Sequence, residues 1–202
     1  NPKSNQVGIV KAVGDRADRY IFIKPNEDCL AIHNGEKKLN TNFFVNWHLE
    51  NGGSYSAHYI ASTLAFSKYL NNKYDKLLVA GLSQGGGAAI LNILQSRPDV
   101  AVIASGFSII NQKALWSGHN QIIIPGVGKH WSYETIRDEI QKMPTQFLFS
   151  YGEQEVGTYR IEVTDHLTQK FLAPCKNVAF HVHSGGHEYA TEASRKFLEV
   201  EF

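Results

Sequence analysis

Five consecutive residues, Gly81-Leu82-Ser83-Gln84-Gly85, form a G-x-S-x-G pattern whose surroundings suit nucleophilic chemistry. The apolar run Leu77–Ala80 leads directly into it, and the small residues Gly86-Gly87-Ala88-Ala89 lead away. The stretch therefore predicts a strand, a sharp turn and a helix, with Ser83 at the turn. Strand and helix crowd one another at such a turn, so the residues two before and two after the serine must be small. Gly81 and Gly85 meet that need. The helix would aim its N-terminal N–H groups and the positive end of its dipole at developing negative charge. The Gln84 N–H is then an oxyanion donor. The bland reading of the same residues is a Gly-rich turn with a capping serine.

A serine hydroxyl is a weak nucleophile at neutral pH and needs a general base within hydrogen-bond reach. Of nine histidines, His187 is the candidate, in Ser184-Gly185-Gly186-His187-Glu188 after the last apolar run. Loops at the C-terminal ends of strands are where open parallel sheets build their sites. The imidazole in turn needs an anion to hold its tautomer and stabilise the cation it becomes. Tyr151-Gly152-Glu153-Gln154-Glu155 supplies two glutamates at the end of another strand candidate; Glu155 is preferred, with Glu153 and Asp165 as alternatives. His181 and His183 share one face of a predicted strand and, with His187, admit a metal-site reading. No carboxylate is firmly assignable to that set, so no metal and no organic cofactor are expected. His33, His48, His58, His119, His130 and His166 read mostly as surface or structural residues.

These residues need a scaffold, and the chain can build one. Its 202 residues carry 20 Lys+Arg against 19 Asp+Glu, a formal charge of +1, and are 43% hydrophobic. That length predicts one domain over residues 1–202, burying about 70% of the surface its unfolded form would expose. The balanced charge argues against nucleic acid as a partner, since phosphate binding needs a basic face. No run approaches the ~18 apolar residues of a membrane-spanning helix. Cys29 and Cys175 are too few for a disulfide framework or a four-thiolate zinc site and read as unpaired thiols. The chain opens on Asn1 rather than Met, as a processed or excised product would. Composition fixes neither compartment nor oligomeric state.

Short apolar runs alternate with longer amphipathic stretches, the pattern of a mostly parallel sheet covered by helices. Strands are predicted at Val7–Val13, Tyr20–Lys24, Thr41–Trp47, Lys76–Ala80, Val100–Ser105, Thr145–Ser150 and Val178–His183. Leu77-Leu78-Val79-Ala80 and Val102-Ile103-Ala104 lack polar alternation, as central strands buried on both faces do. Helices are predicted at Ser56–Leu70, Gln84–Gln95, Tyr133–Gln141, Tyr159–Leu172 and Glu188–Phe197. The irregular stretch 111–143, with Trp116 and Trp131, reads as a lid or substrate-binding excursion. A plain solvated connection is its alternative.

The order Ser83, Glu155, His187 is the chain order of α/β-hydrolases, and the sequence resembles that superfamily over about Tyr20–Phe202. The ending Gly185-Gly186-His187-Glu188-Tyr189 is similar to the close of esterase D-like, enterochelin-esterase-like and feruloyl-esterase-like proteins. Gly152-x-x-Glu155 is similar to their acid loop. The resemblance implies a three-layer α/β sandwich, and a triad of Ser83, Glu155 and His187 acting on a small-molecule carboxylic ester. The sequence departs from the pattern twice. The acid is Glu where Asp is usual. No H-G or H-G-G-G follows Tyr20–Lys24, where the second oxyanion donor usually arises; Lys24-Pro25-Asn26-Glu27 stands there, and Pro25 has no N–H. Asn26 is the expected donor, with Asn51-Gly52-Gly53 as a second candidate. A catalytically idle binding module, or a thioesterase or peptidase with the same triad, are the competing readings.

Overall fold

The computed structural model describes residues 7–21, 30–33, 36–39, 41–106, 124–155 and 171–202. In chain order its elements are α1 (Val7–Val13), β1 (Leu30–His33), β2 (Glu36–Leu39), α2 (Thr41–Glu50), α3 (Tyr55–Asn71), β3 (Leu78–Leu82), α4 (Gln84–Ser96), β4 (Val100–Ala104), α5 (Val127–His130), α6 (Tyr133–Lys142), β5 (Gln146–Gly152), β6 (Val178–His183) and α7 (Thr191–Glu201). The strands β3, β4, β5 and β6 form a four-stranded sheet in that spatial order, and every neighbouring pair is parallel. The strands β1 and β2 form a separate antiparallel pair.

Spatial order equal to chain order means that each crossover steps the same way across the sheet. Right-handed crossovers then put the connecting helices on one face. The side chains agree: Ile90 and Ile93 of α4 and Ile136 and Ile140 of α6 pack with Ala101, Ile103, Phe147 and Phe149 of β4 and β5. The alternate residues Val100, Val102, Ala104 and Leu148 face the other way, against Ala12 and Val13 of α1 and Leu198 of α7. Three layers result, as expected from the sequence. Every residue of β4 is buried, which explains its unbroken apolar run. At the sheet's lower edge the Asp99 carboxylate accepts from the Leu77 N–H at 2.8 Å, tying the entry of β3 to that of β4. The Asn177 amide donates to the carbonyls of Ile140, Met143 and Thr145 (3.0, 3.2 and 2.8 Å), binding the end of α6 to the start of β5.

Two predicted strands are helices. Val7–Val13 is α1, and short apolar runs carry no period strong enough to separate the two states. Packing decides: α1 lies against the C-terminal segment so closely that a Cβ on Gly8 would stand 2.9 Å from both Thr191 Oγ1 and Tyr189 Cβ. Thr41–Trp47 lies within α2, where Val45 is buried while Asn46 and Trp47 are exposed, a spacing that no alternating strand produces. Of Tyr20–Lys24, Tyr20 and Ile21 are exposed and outside any element, and residues 22–24 lie outside the described residues. Most of the predicted helix Tyr159–Leu172 also lies outside them. The other predicted elements agree to within a few residues, while β1, β2 and α5 were not expected. Within 111–143 the described part, from residue 124, includes α6, whose Ile136 and Ile140 are core residues. No helix among the described residues is long and apolar enough to cross a membrane.

Candidate active site

Parallel strands share one C-terminal edge, and the candidate residues leave the sheet there. Ser83 follows β3 directly and begins α4 with φ 59° and ψ −124°. This is a conformation that L-residues rarely adopt. The turn is made possible by its glycines, because a Cβ on Gly81 would collide with the carbonyl of Gly85. A Cβ on Gly106, just past β4, would lie 2.5 Å from the Cα of Gly86. The predicted crowding is therefore present at Gly81 but not at Gly85, where a Cβ would meet nothing within 4 Å, and Gly106 adds a close approach that no motif announced. The Ser83 N–H donates to Ala104 O at 2.8 Å, fastening the turn to β4. Its hydroxyl makes no capping bond to its own helix, so the bland reading of a capping serine fails.

Glu155 lies three residues beyond β5, with its side chain wholly shielded from solvent. One carboxylate oxygen, Oε2, stands 3.2 Å from His187 Nδ1. The other, Oε1, accepts the Gly152 N–H at 3.0 Å and the Ser105 hydroxyl. A buried carboxylate is tolerable only when its lone pairs are answered in this way. Glu153, by contrast, is exposed; its N–H donates to His183 O at 2.8 Å. Asp165 lies outside the described residues.

The His187 loop is locked onto the acid loop by backbone contacts. The Gln154 N–H donates to Gly185 O at 3.0 Å, and a Cβ on Gly152 would collide with the carbonyl of Gly186. Nδ1 is the ring nitrogen turned to the carboxylate, and the His187 side chain is about one-third exposed (31%). His183, four residues earlier, accepts the Gly185 N–H at its own Nδ1 (3.2 Å), which helps shape the loop. Among the described residues no three His, Cys, Asp or Glu side chains are grouped so as to hold a metal ion.

Gln84 stands at the first position of α4, where helix geometry supplies no intrahelical acceptor for its N–H; its side chain is buried. Burial pushes the phenol of Tyr59, on α3, up to about 12, while hydrogen bonds with the side chains of Ser56 and Gln84 pull it part of the way back. The second oxyanion donor proposed at Asn26 lies outside the described residues, as do Trp116 and Cys29. The alternative at Asn51-Gly52-Gly53 is committed elsewhere. Those three N–H groups donate to Trp47 O, Leu49 O and His48 O (3.2, 3.1 and 2.7 Å), closing the end of α2. Trp131 packs against the core cluster that includes Tyr133 and Ile136. Cys175 is a buried free thiol, raised above the usual range by burial. Sequence reasoning missed Ser105. Its signal, a Ser-Gly pair closing an apolar strand, is too common to single out.

No family model and no curated protein matches the chain. Among solved structures it is similar to a predicted CIB-like hydrolase from Thermoplasma acidophilum, with 15% identity, a TM-score of 0.40, and coverage of 72% of this chain and 56% of that one. It is also similar to the carboxylesterase CesB (YbfK) from Bacillus subtilis, with 13% identity, a TM-score of 0.38, and coverage of 67% and 65%. The chain spans less than two thirds of the length of either structure. The fold is a three-layer α/β sandwich on a parallel sheet, with Ser83, Glu155 and His187 all leaving the C-terminal ends of its strands.

Proposed function

We propose that the chain is a serine hydrolase that cleaves a carboxylic ester of a small molecule through Ser83, His187 and Glu155. The observation that carries this reading is the 3.2 Å contact of a solvent-shielded Glu155 carboxylate with His187 Nδ1, at the sheet edge where Ser83 sits in a strained strand-to-helix turn. Ser83 Oγ attacks the carbonyl carbon while its proton passes to His187 Nε2, and the carbonyl electrons move onto oxygen. The oxyanion is held by the Gln84 N–H at the start of α4. As the tetrahedral adduct collapses, the alkoxide departs with the proton from His187 and leaves an acyl-Ser83. Water then repeats the sequence with His187 as base, releasing the carboxylic acid. Glu155 orients the ring and stabilises the imidazolium. Asn26 would supply the second oxyanion donor, and Trp116 and Trp131 an aromatic wall within the 111–143 excursion of a single domain.

The test is labelling with a fluorophosphonate probe, followed by intact mass. One adduct is expected on the wild-type chain and none on Ser83→Ala. A folded wild-type chain that takes up no adduct would refute the reading and favour an idle binding module. Turnover of p-nitrophenyl acetate against a matched thioester and amide separates esterase from thioesterase and peptidase, because the triad alone does not choose among them.

A further inference from the structure

We propose that Ser105 is a positioning residue for the triad acid: its buried hydroxyl, presented from the exit of β4, fixes the Glu155 carboxylate so that Oε2 faces His187. The inference rests on the triad reading given above. Ser105 is completely buried, and its hydroxyl donates to Glu155 Oε1. Its N–H donates to Ser150 O at 2.9 Å, carrying the β4–β5 ladder one residue past the last pair, Ala104↔Ser150. The residue is thus clamped between the strand that leads to the nucleophile's neighbour and the strand that leads to the acid.

Its backbone explains why a serine here needs accounting for. Ser105 has φ 50°, in the left-handed region that favours glycine. The next residue, Gly106, shows that this turn already uses glycine where strand and helix approach. A glycine at 105 would take the same backbone with less strain. What it would lack is the hydroxyl, and the hydroxyl's partner is the carboxylate that faces His187. Glutamate needs such a partner, because its arm has one more rotatable bond than that of aspartate. The Gly152 N–H on the same oxygen, at 3.0 Å, leaves the carboxylate plane free to swing about that contact. A second donor on Oε1 removes the swing, and preorganisation of this kind is what a catalytic anion requires.

The test uses Ser105→Gly and Ser105→Ala, with Glu155→Gln alongside. The readouts are kcat and KM for p-nitrophenyl acetate, thermal unfolding, and the low-field proton resonance of the His187 Nδ1–H. Both Ser105 variants are expected to lower kcat about tenfold, the effect of one lost charge-assisted hydrogen bond, with KM changed by less than about twofold. Both should shift and broaden the low-field resonance. Ser105→Gly trades the lost hydrogen bond against relief of the left-handed strain, so it should melt above Ser105→Ala and remain folded at the assay temperature, and its loss of activity is then not unfolding. Unchanged kcat and an unchanged resonance in Ser105→Gly, with Glu155→Gln inactive, would overturn the proposal and leave the triad standing. Loss of activity in Ser105→Ala alone would also overturn it, by tracing the effect to backbone strain. Wild-type activity in Glu155→Gln would overturn the triad reading and this inference together.

Discussion

Gly152→Ala tests how far the site depends on two loops held together by their backbones. A Cβ on Gly152 would stand 2.5 Å from Gly185 O and 2.8 Å from Gly186 C, and closer still to Gly186 O. Ordinary van der Waals contact begins at 3.4 Å, so clearing Gly185 O alone needs a retreat of about 0.9 Å, and the nearer Gly186 O requires the segment to move further. His187 follows Gly186 directly, and a retreat of at least that size along the contact stretches its 3.2 Å approach to Glu155 to about 4 Å or more, beyond hydrogen-bond reach. The colliding atoms are backbone and cannot rotate away, so overpacking should cost about 1–3 kcal/mol of stability. At this chain length that lowers Tm by roughly 2–4 °C per kcal/mol. A misplacement near 1 Å in a catalytic group costs on the order of 10²-fold in rate. The assay is kcat for p-nitrophenyl acetate beside a thermal melt, with fluorophosphonate labelling rate as a substrate-independent check. A variant that melts at the wild-type temperature and keeps kcat within about threefold would refute the argument, since the loops would then not be set by that contact.

Two further predictions follow from strain and burial. Ser83→Gly should abolish fluorophosphonate labelling and yet be more stable than Ser83→Ala by about 1 kcal/mol, because glycine accepts φ 59° without steric cost and alanine does not; equal melting temperatures for the two would refute the strained turn. The Tyr59 phenol is raised to about 12 in the folded chain against about 10 when unfolded, so the folded form holds the proton where the unfolded form has lost it. The stability due to its neutral form is complete below about pH 10 and is lost between about pH 10 and 12, by at most about 1.4 kcal/mol per pH unit. Tyr59→Phe should flatten that part of the urea-denaturation profile without removing the contribution of Tyr189, which burial also raises; a profile parallel to wild type would refute the assignment.

Much of the candidate site is legible because the residues of each of its motifs lie close together in the chain. Ser83, its glycines and the apolar run before them are contiguous, and crowding at one turn is decided by residues within a few positions of it. The last apolar run, Val178–His183, matches β6 residue for residue, and its loop carries His187. The preference for Glu155 over Glu153 came from spacing past Gly152; in the structure Glu155 is the buried partner of His187 and Glu153 is exposed. Ser105 was illegible, because the partner of its hydroxyl is fifty residues away in the chain.

What the amino-acid sequence determined by itself was the set of strands and helices with strong periods, and the identity of the groups capable of chemistry. Its pattern reads as strand for Val7–Val13 and Thr41–Trp47, which are helical, since a short apolar run is compatible with either until something packs on it. Gly8 pressed against Thr191 and Tyr189 is that something for α1. Tertiary structure also decided which carboxylate oxygen faced the imidazole, whereas the donors at Asn51-Gly52-Gly53 are spent locally, on carbonyls at the end of α2. Hydrogen bonds between distant residues depend on the register of parallel strands. That register exists only once the sheet is assembled, with β4 clamped between β3 and β5.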